Sequence, residues 1–157
     1  MKNSKQKGNN WEREVSTIFS QHFHEEFRRV PQSGAIFGGL NRKRAIGVRT
    51  DAQEILSGDI IVPEGFKFSL ECKSYKELEF NHIYCGSCKK LDDWIKQSQD
   101  DATFCNKDFL LLIKINRKGT FACLERGIIK EEEIENYMIY KKHYIIMALD
   151  CFLKLYK

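Results

Sequence analysis

The stretch Ser57-Gly58-Asp59-Ile60-Ile61-Val62-Pro63-Glu64-Gly65-Phe66-Lys67-Phe68-Ser69-Leu70-Glu71-Cys72-Lys73 decides the fold. Pro63 and Gly65 around Glu64 are turn chemistry, and the apolar residues on either side predict a β-hairpin with a short loop. Beyond the turn, Phe66, Phe68, Leu70 and Cys72 alternate with Lys67, Ser69, Glu71 and Lys73. That period of two predicts a half-buried strand with one core face and one polar face. If the three turn residues are the whole loop, Val62 pairs with Phe66 and Asp59 lies opposite Ser69, on the polar face and diagonal to Glu71. Diagonal cross-strand neighbours sit roughly 7 to 8 Å apart, near enough for two carboxylates to reach one divalent cation. Lys73 follows on the same face. A one-residue slip would send Asp59 to the core side, so the arrangement depends on the turn.

Two carboxylates and a lysine on one strand face suit phosphodiester cleavage. The carboxylates hold a metal that lowers the pKa of a bound water and neutralises phosphate charge, and the lysine stabilises the developing oxyanion or positions the water. An Asp-(x)n-Glu-x-Lys pattern is short, and a chain with 31% charged residues meets it by chance on solvated strands. The context adds weight: a Gly-Asp opening the first strand, a turn, and the Glu-x-Lys closing the second.

Upstream, Lys7-Gly8-Asn9-Asn10-Trp11-Glu12-Arg13-Glu14-Val15 starts a helix capped by Asn9 or Asn10, with Trp11, Val15, Ile18, Phe19 and His22 on one face. Glu12 and Glu14 flank opposite sides of that stripe, and periodicity does not choose which one points at the hairpin.

The hairpin resembles the core of the PD-(D/E)xK nucleases. The Lys7 to Val15 segment is similar to the Lys-Gly-x-x-x-Glu-Arg-Glu-apolar opening of the archaeal-type Holliday-junction resolvases and their phage relatives, and Pro31-Gln32-Ser33-Gly34-Ala35 resembles their Ser-Gly segment. The resemblance spans roughly residues 7 to 100. It departs in the long insertion between Gly34 and Ser57 and in Cys72, where an aliphatic residue is more usual. It implies an α/β, restriction-endonuclease-like core with a central mixed sheet flanked by helices, and a Mg²⁺-dependent DNA endonuclease in which Mn²⁺ can substitute. Asp59 and Glu71 would bind the metal, Glu12 would complete or orient its shell, and Lys73 would assist the attacking water. Arg13, Arg29 and Ser33 would meet DNA, and a resolvase would act on branched DNA as a homodimer with no small-molecule cofactor. The rivals are another nuclease on the same core, restriction-like or flap-type, or a non-catalytic nucleic-acid-binding module.

The charge distribution agrees with a polyanionic partner. The net charge is +4, yet residues 1 to 50 alone carry ten Lys/Arg against four Glu, which leaves the remainder at −2. Within that basic half, Arg42, Lys43, Arg44 and Arg49 lie in a segment too long for an ordinary connection, predicted as a DNA-binding loop, with a helical turn near Thr50 to Leu56.

Length predicts a single domain over residues 1–157. No apolar run reaches membrane-spanning length, and Met1 to Lys7 has no apolar signal region. A cytoplasmic location is expected, in the host cytoplasm for a viral protein, with six reduced cysteines. His82-x₂-Cys85-x₂-Cys88, with Cys105 as a fourth donor, has zinc-ligand spacing, against the simpler reading of a polar turn before a helix. That helix is predicted near residues 90 to 102. On it Gln97 is read as solvent-exposed, although related nucleases often carry a glutamine there that faces the site. Strands are predicted at Phe27 to Val30, Phe109 to Ile115, Thr120 to Leu124 and Tyr144 to Ala148. Helices are predicted at Glu131 to Tyr140 and Asp150 to Tyr156.

Overall fold

In the computed structural model, which describes residues 4–30 and 58–157, the hairpin supplies the second and third strands of a seven-stranded mixed sheet. Among the described residues the elements run α1 (Ser4–Phe23), β1 (Arg28–Arg29), β2 (Ile60–Ile61), β3 (Phe68–Tyr75), α2 (Phe80–Tyr84), α3 (Lys89–Phe104), β4 (Asp108–Ile115), β5 (Gly119–Glu125), β6 (Tyr137–Tyr140), β7 (Tyr144–Ala148) and α4 (Leu149–Leu155). The strand order is β1-β2-β3-β4-β5-β7-β6. Only β3 and β4 pair in parallel, joined by the crossover through α3; the other pairs are antiparallel. This is the expected α/β architecture, a mixed sheet flanked by helices.

Two apolar layers sandwich the sheet. On one face Trp11, Val15 and Phe19 of α1 and Phe152 of α4 meet Phe68, Leu70, Leu110 and Leu112. On the other Leu91, Ile95 and Ala102 of α3, with Ile83 of α2, meet Phe109, Leu111, Ile113 and Ile146. The indole N–H of Trp11 donates to the Leu112 carbonyl at 3.0 Å, which fixes the height of α1 over the sheet. The Tyr140 hydroxyl donates to the Cys88 carbonyl at 3.2 Å and to Asp92 Oδ1 at 2.8 Å, tying β6 to the start of α3.

Several expectations are corrected. The polar face of β3 is covered as well: Ser69 and Glu71 are buried, because α3 lies across that face. The loop is wider than three residues and Ile60 pairs with Leu70, so Asp59 comes level with Glu71 rather than opposite Ser69. The shift is two residues, which preserves the side on which Asp59 lies. Helix α1 begins a turn and a half before Asn9 or Asn10; the Asn9 amide oxygen accepts from Arg29 at 2.9 Å instead of capping. The acidic helix expected from Glu131 to Tyr140 is a short 3₁₀ turn at Glu131–Glu133 followed by β6. There Tyr137, Met138, Ile139 and Tyr140 pair with β7, and this pairing of β-prone side chains overrides the helical preference of the glutamates. The predicted turn near Thr50 to Leu56 lies outside the described residues. Among the described residues no helix is long and apolar enough to cross a membrane.

Gly58 is where the chain enters the hairpin, at φ +80°. A Cβ there would lie 2.6 Å from the Leu70 carbonyl oxygen and 3.0 Å from Ser69 Oγ, a clash with strand backbone that cannot move aside. Gly58→Ala is therefore expected to destabilise the protein by at least about 2 kcal/mol, measured by urea unfolding.

Candidate active site

Asp59 is clasped by the backbone on both sides. Its N–H donates to the Leu70 carbonyl at 2.8 Å and its carbonyl accepts from the Val30 N–H at 2.9 Å. Its Oδ2 accepts from the Cys72 N–H at 2.8 Å. These bonds hold an aspartate that is 9% exposed level with Glu71, itself 3% exposed, across β2 and β3. Glu71 Oε1 accepts from Lys73 Nζ at 2.5 Å and from Gln97 Nε2 at 2.8 Å, and Gln97 Oε1 accepts from the same Lys73 ammonium at 3.0 Å. Two strands and a helix thus converge on one acid-acid-lysine cluster.

Burial is the main reason that the Glu71 pKa is pushed up to about 8, and the negative charge of Asp59 adds to it against the opposing pull of Lys73. Burial works against the Lys73 ammonium too, but the Glu71 carboxylate beside it outweighs that and raises its pKa. The Cys72 thiol is raised well above its ordinary value, first by burial and then by Asp59, Glu71 and Glu12. The fields of all three carboxylates meet at this thiol.

Glu12 and Glu14 separate clearly. Glu12 is buried and its carboxylate accepts from Arg29 Nε, an ion pair that joins α1 to β1; Glu14 is exposed and pairs with Lys114. Glu12 therefore holds an arginine rather than standing as a third donor beside Asp59 and Glu71. Among the described residues no group of three or more His, Cys, Asp or Glu is arranged to hold a metal ion. Asp59 and Glu71 nonetheless fit a hard divalent cation. They are two buried carboxylates with one lysine to offset them, and Mg²⁺ is commonly held by one or two carboxylates, water and substrate phosphate.

Gln97 was missed as a site residue. It is exposed and yet bonded to both Glu71 and Lys73, and the only signal for it lay in the resemblance. The zinc arrangement is not formed. Cys88 and Cys105 flank opposite ends of the 16-residue α3, roughly 25 Å apart at 1.5 Å per residue, and His82 pairs with Glu79. All six cysteines are free. Arg13 is exposed on α1, while Ser33, Arg42, Lys43, Arg44 and Arg49 lie outside the described residues.

A buried acid pair with a helix-supported lysine, on adjoining strands of a mixed sheet, has the chemistry of a nuclease. The chain belongs to the family described as "Phage putative PDDEXK endonuclease", whose model matches residues 3–156, and so to the PD-(D/E)xK nucleases. No curated protein matches it. Among solved structures it is similar to Archaeoglobus fulgidus Hjc, a Holliday junction resolvase from an archaeal hyperthermophile, at 13% identity and a TM-score of 0.39. The match covers 92% of this chain and 91% of that one.

The raised Glu71 pKa carries a stability consequence. The folded protein keeps a proton on Glu71 that the unfolded chain has lost above its ordinary pKa of 4.5, so stability falls as pH rises from there to about 8. In EDTA, Glu71→Gln should melt higher than the wild type at about pH 8, with the gap closing toward about pH 5. A gap that is constant with pH, in thermal melts across that range, would exclude the titration.

Proposed function

We propose that the protein is a divalent-metal-dependent endonuclease acting on branched DNA, and within that class a Holliday-junction resolvase working as a homodimer. The observation that carries the nuclease chemistry is the buried Asp59 and Glu71 pair beside a Lys73 that Gln97 also binds. The junction reading is supported by the Lys7-Gly8 to Glu12-Arg13-Glu14 motif, and a C2 dimer would supply the two sites that symmetric cleavage of two strands requires.

Asp59 and Glu71 would hold Mg²⁺, or Mn²⁺ in its place. Bound there, the ion would supply an activated water and neutralise phosphate charge. The chain's own residues orient and stabilise. Lys73, held by Glu71 and Gln97, presents an ammonium to the attacked phosphate and its developing negative charge. Glu12 acts as a positioning residue: it and Asn9 hold the Arg29 guanidinium, which would meet a phosphate oxygen. Arg13, Ser33 and the basic segment containing Arg42, Lys43, Arg44 and Arg49 would add phosphate contacts that set affinity rather than chemistry.

Cleavage of four-way junction, flap, linear duplex and single strand, with Mg²⁺ and with EDTA, tests the reading. Asp59→Asn and Glu71→Gln should abolish cleavage and leave DNA binding intact or tighter, since each removes a donor and some repulsion toward phosphate. Mg²⁺ should raise the melting temperature of the wild type but not of either variant. Wild-type turnover in either variant would overturn the assignment, and preference for flap over junction would move the substrate.

A second comparison isolates α1. Under single-turnover conditions at saturating Mg²⁺, Glu12→Gln should lower the rate at least about tenfold, or roughly 1.4 kcal/mol of transition-state stabilisation. Glu14→Gln should be near neutral. The opposite result would remove the Glu12–Arg29 pair from the mechanism.

A further inference from the structure

The row of side chains that carries Glu71 and Lys73 does not end at the acid pair. With a strand period of two, Tyr75 lies on the same face of β3. It is 42% exposed, whereas Glu71 is buried and Lys73 partly so. Helix α3 runs beside this row in the opposite direction. Gln97 meets Glu71 and Lys73, and further toward the start of the helix Trp94 meets Tyr75 edge-on, with ring centroids 5.7 Å apart. One turn earlier, the Lys90 ammonium sits 3.7 Å over the Tyr75 ring.

Tyr75 forms part of the wall of a surface pocket of about 750 Å³, with Ser74, Lys76, Lys7, Lys89 and Lys90. The two wall glutamates have cationic partners: Glu77 lies 3.8 Å from Lys118, and Glu79 pairs with His82 of the same wall. Among the described residues, Lys7, Lys76, Lys89 and Lys90 form no ion pair with a carboxylate. The pocket therefore offers an aromatic plane braced by Trp94, four lysines that meet no acidic partner among the described residues, and a volume in the range that takes a ligand of nucleotide size.

We propose that this pocket is a subsite for one unpaired nucleotide of the DNA, with its base stacked on Tyr75 and its phosphate among the lysines. The DNA identity of the strand rests on the nuclease reading above. The unpaired state follows from the geometry. In a duplex both faces of a base are covered by its neighbours, so only an unstacked base can lie flat on the ring. Lys90 already occupies that face as a cation over a π-system; an incoming base displaces it and leaves its ammonium for the adjoining phosphate. From Glu71 to Tyr75 the strand rises about 13 Å at ~3.3 Å per residue. That is roughly four steps of a stacked strand at about 3.4 Å each. The subsite thus selects DNA that is unpaired within a few nucleotides of the bond to be cut, as at a branch, gap or flap, over continuous duplex.

The test is fluorescence anisotropy in EDTA with a short oligothymidylate and with a blunt duplex of equal length, using wild type, Tyr75→Phe and Tyr75→Ala. Tyr75→Ala should weaken single-strand binding about tenfold and Tyr75→Phe less than about twofold, with duplex binding unchanged in both. Because Tyr75 is half exposed, matching melting temperatures are expected and serve as the folding control. In the wild type, Lys89→Ala with Lys90→Ala should reduce the salt dependence of single-strand binding by about 0.7 per lost contact in the log-log slope. The proposal is overturned if the wild type does not bind the oligothymidylate, if Tyr75→Ala binds it as the wild type does, or if the loss is equal on duplex. Failure of the wild type to cleave any DNA with Mg²⁺ would instead remove the nuclease reading and leave the binding result standing.

Discussion

The hydrogen bond from the Cys72 N–H to Asp59 Oδ2 is the contact on which the rest of the site depends. Two buried carboxylates on adjacent strands repel one another, and a hairpin this short, with Ile60–Ile61 as its first strand, has little pairing with which to resist. Asp59 supplies the missing restraint itself, through its amide to Leu70, its carbonyl to Val30 and its side chain to Cys72. The same residue that would carry chemistry closes the ladder between β1, β2 and β3. Gly58 makes this possible because only a residue without a Cβ can pass so close to the Leu70 carbonyl.

The second restraint comes from across the sheet. Burial and the Asp59 charge favour a protonated Glu71, while the Lys73 ammonium and the Gln97 amide both converge on its Oε1. Gln97 also accepts from Lys73, so the helix that completes the β3–β4 crossover locks Glu71 and Lys73 to each other. Here the fold and the site are the same structure. α3 is packed by Leu91, Ile95, Ser98 and Ala102 on the sheet side, and the adjoining edge of the helix carries Lys90, Trp94 and Gln97.

Much of this was legible in the residues. The alternation from Phe66 to Lys73 identifies the strand and the side on which its acid lies, and the pairing error of two residues kept that side because parity survives an even shift. The burial of the polar face was not legible, since a period of two reads the same whether α3 covers Glu71 or water does. Gln97 was hidden for a related reason: its partners lie 24 and 26 positions away, beyond any local pattern. The misread segment after Glu131 shows local preference losing to strand pairing at Tyr137–Tyr140. The cysteine spacing failed because ligand spacing in sequence carries no information once a full helix separates Cys88 from Cys105.

Glu12 and Glu14 show how far a motif reaches and where structure must take over. Both lie between Trp11 and Val15 on the same helix, and periodicity left the choice between them open. Packing decides it. Trp11 drives its indole to the Leu112 carbonyl, which rotates Glu12 toward β1 and the buried edge of the sheet and leaves Glu14 beside Lys114 at the surface. Once Glu12 is turned inward, its charge needs a partner, and Arg29 on β1 is the one it finds. The Glu12 and Arg29 of the resemblance are therefore one ion pair rather than two independent contacts. Removing the acid would leave the guanidinium partly buried without its carboxylate, so the two residues behave as a single unit.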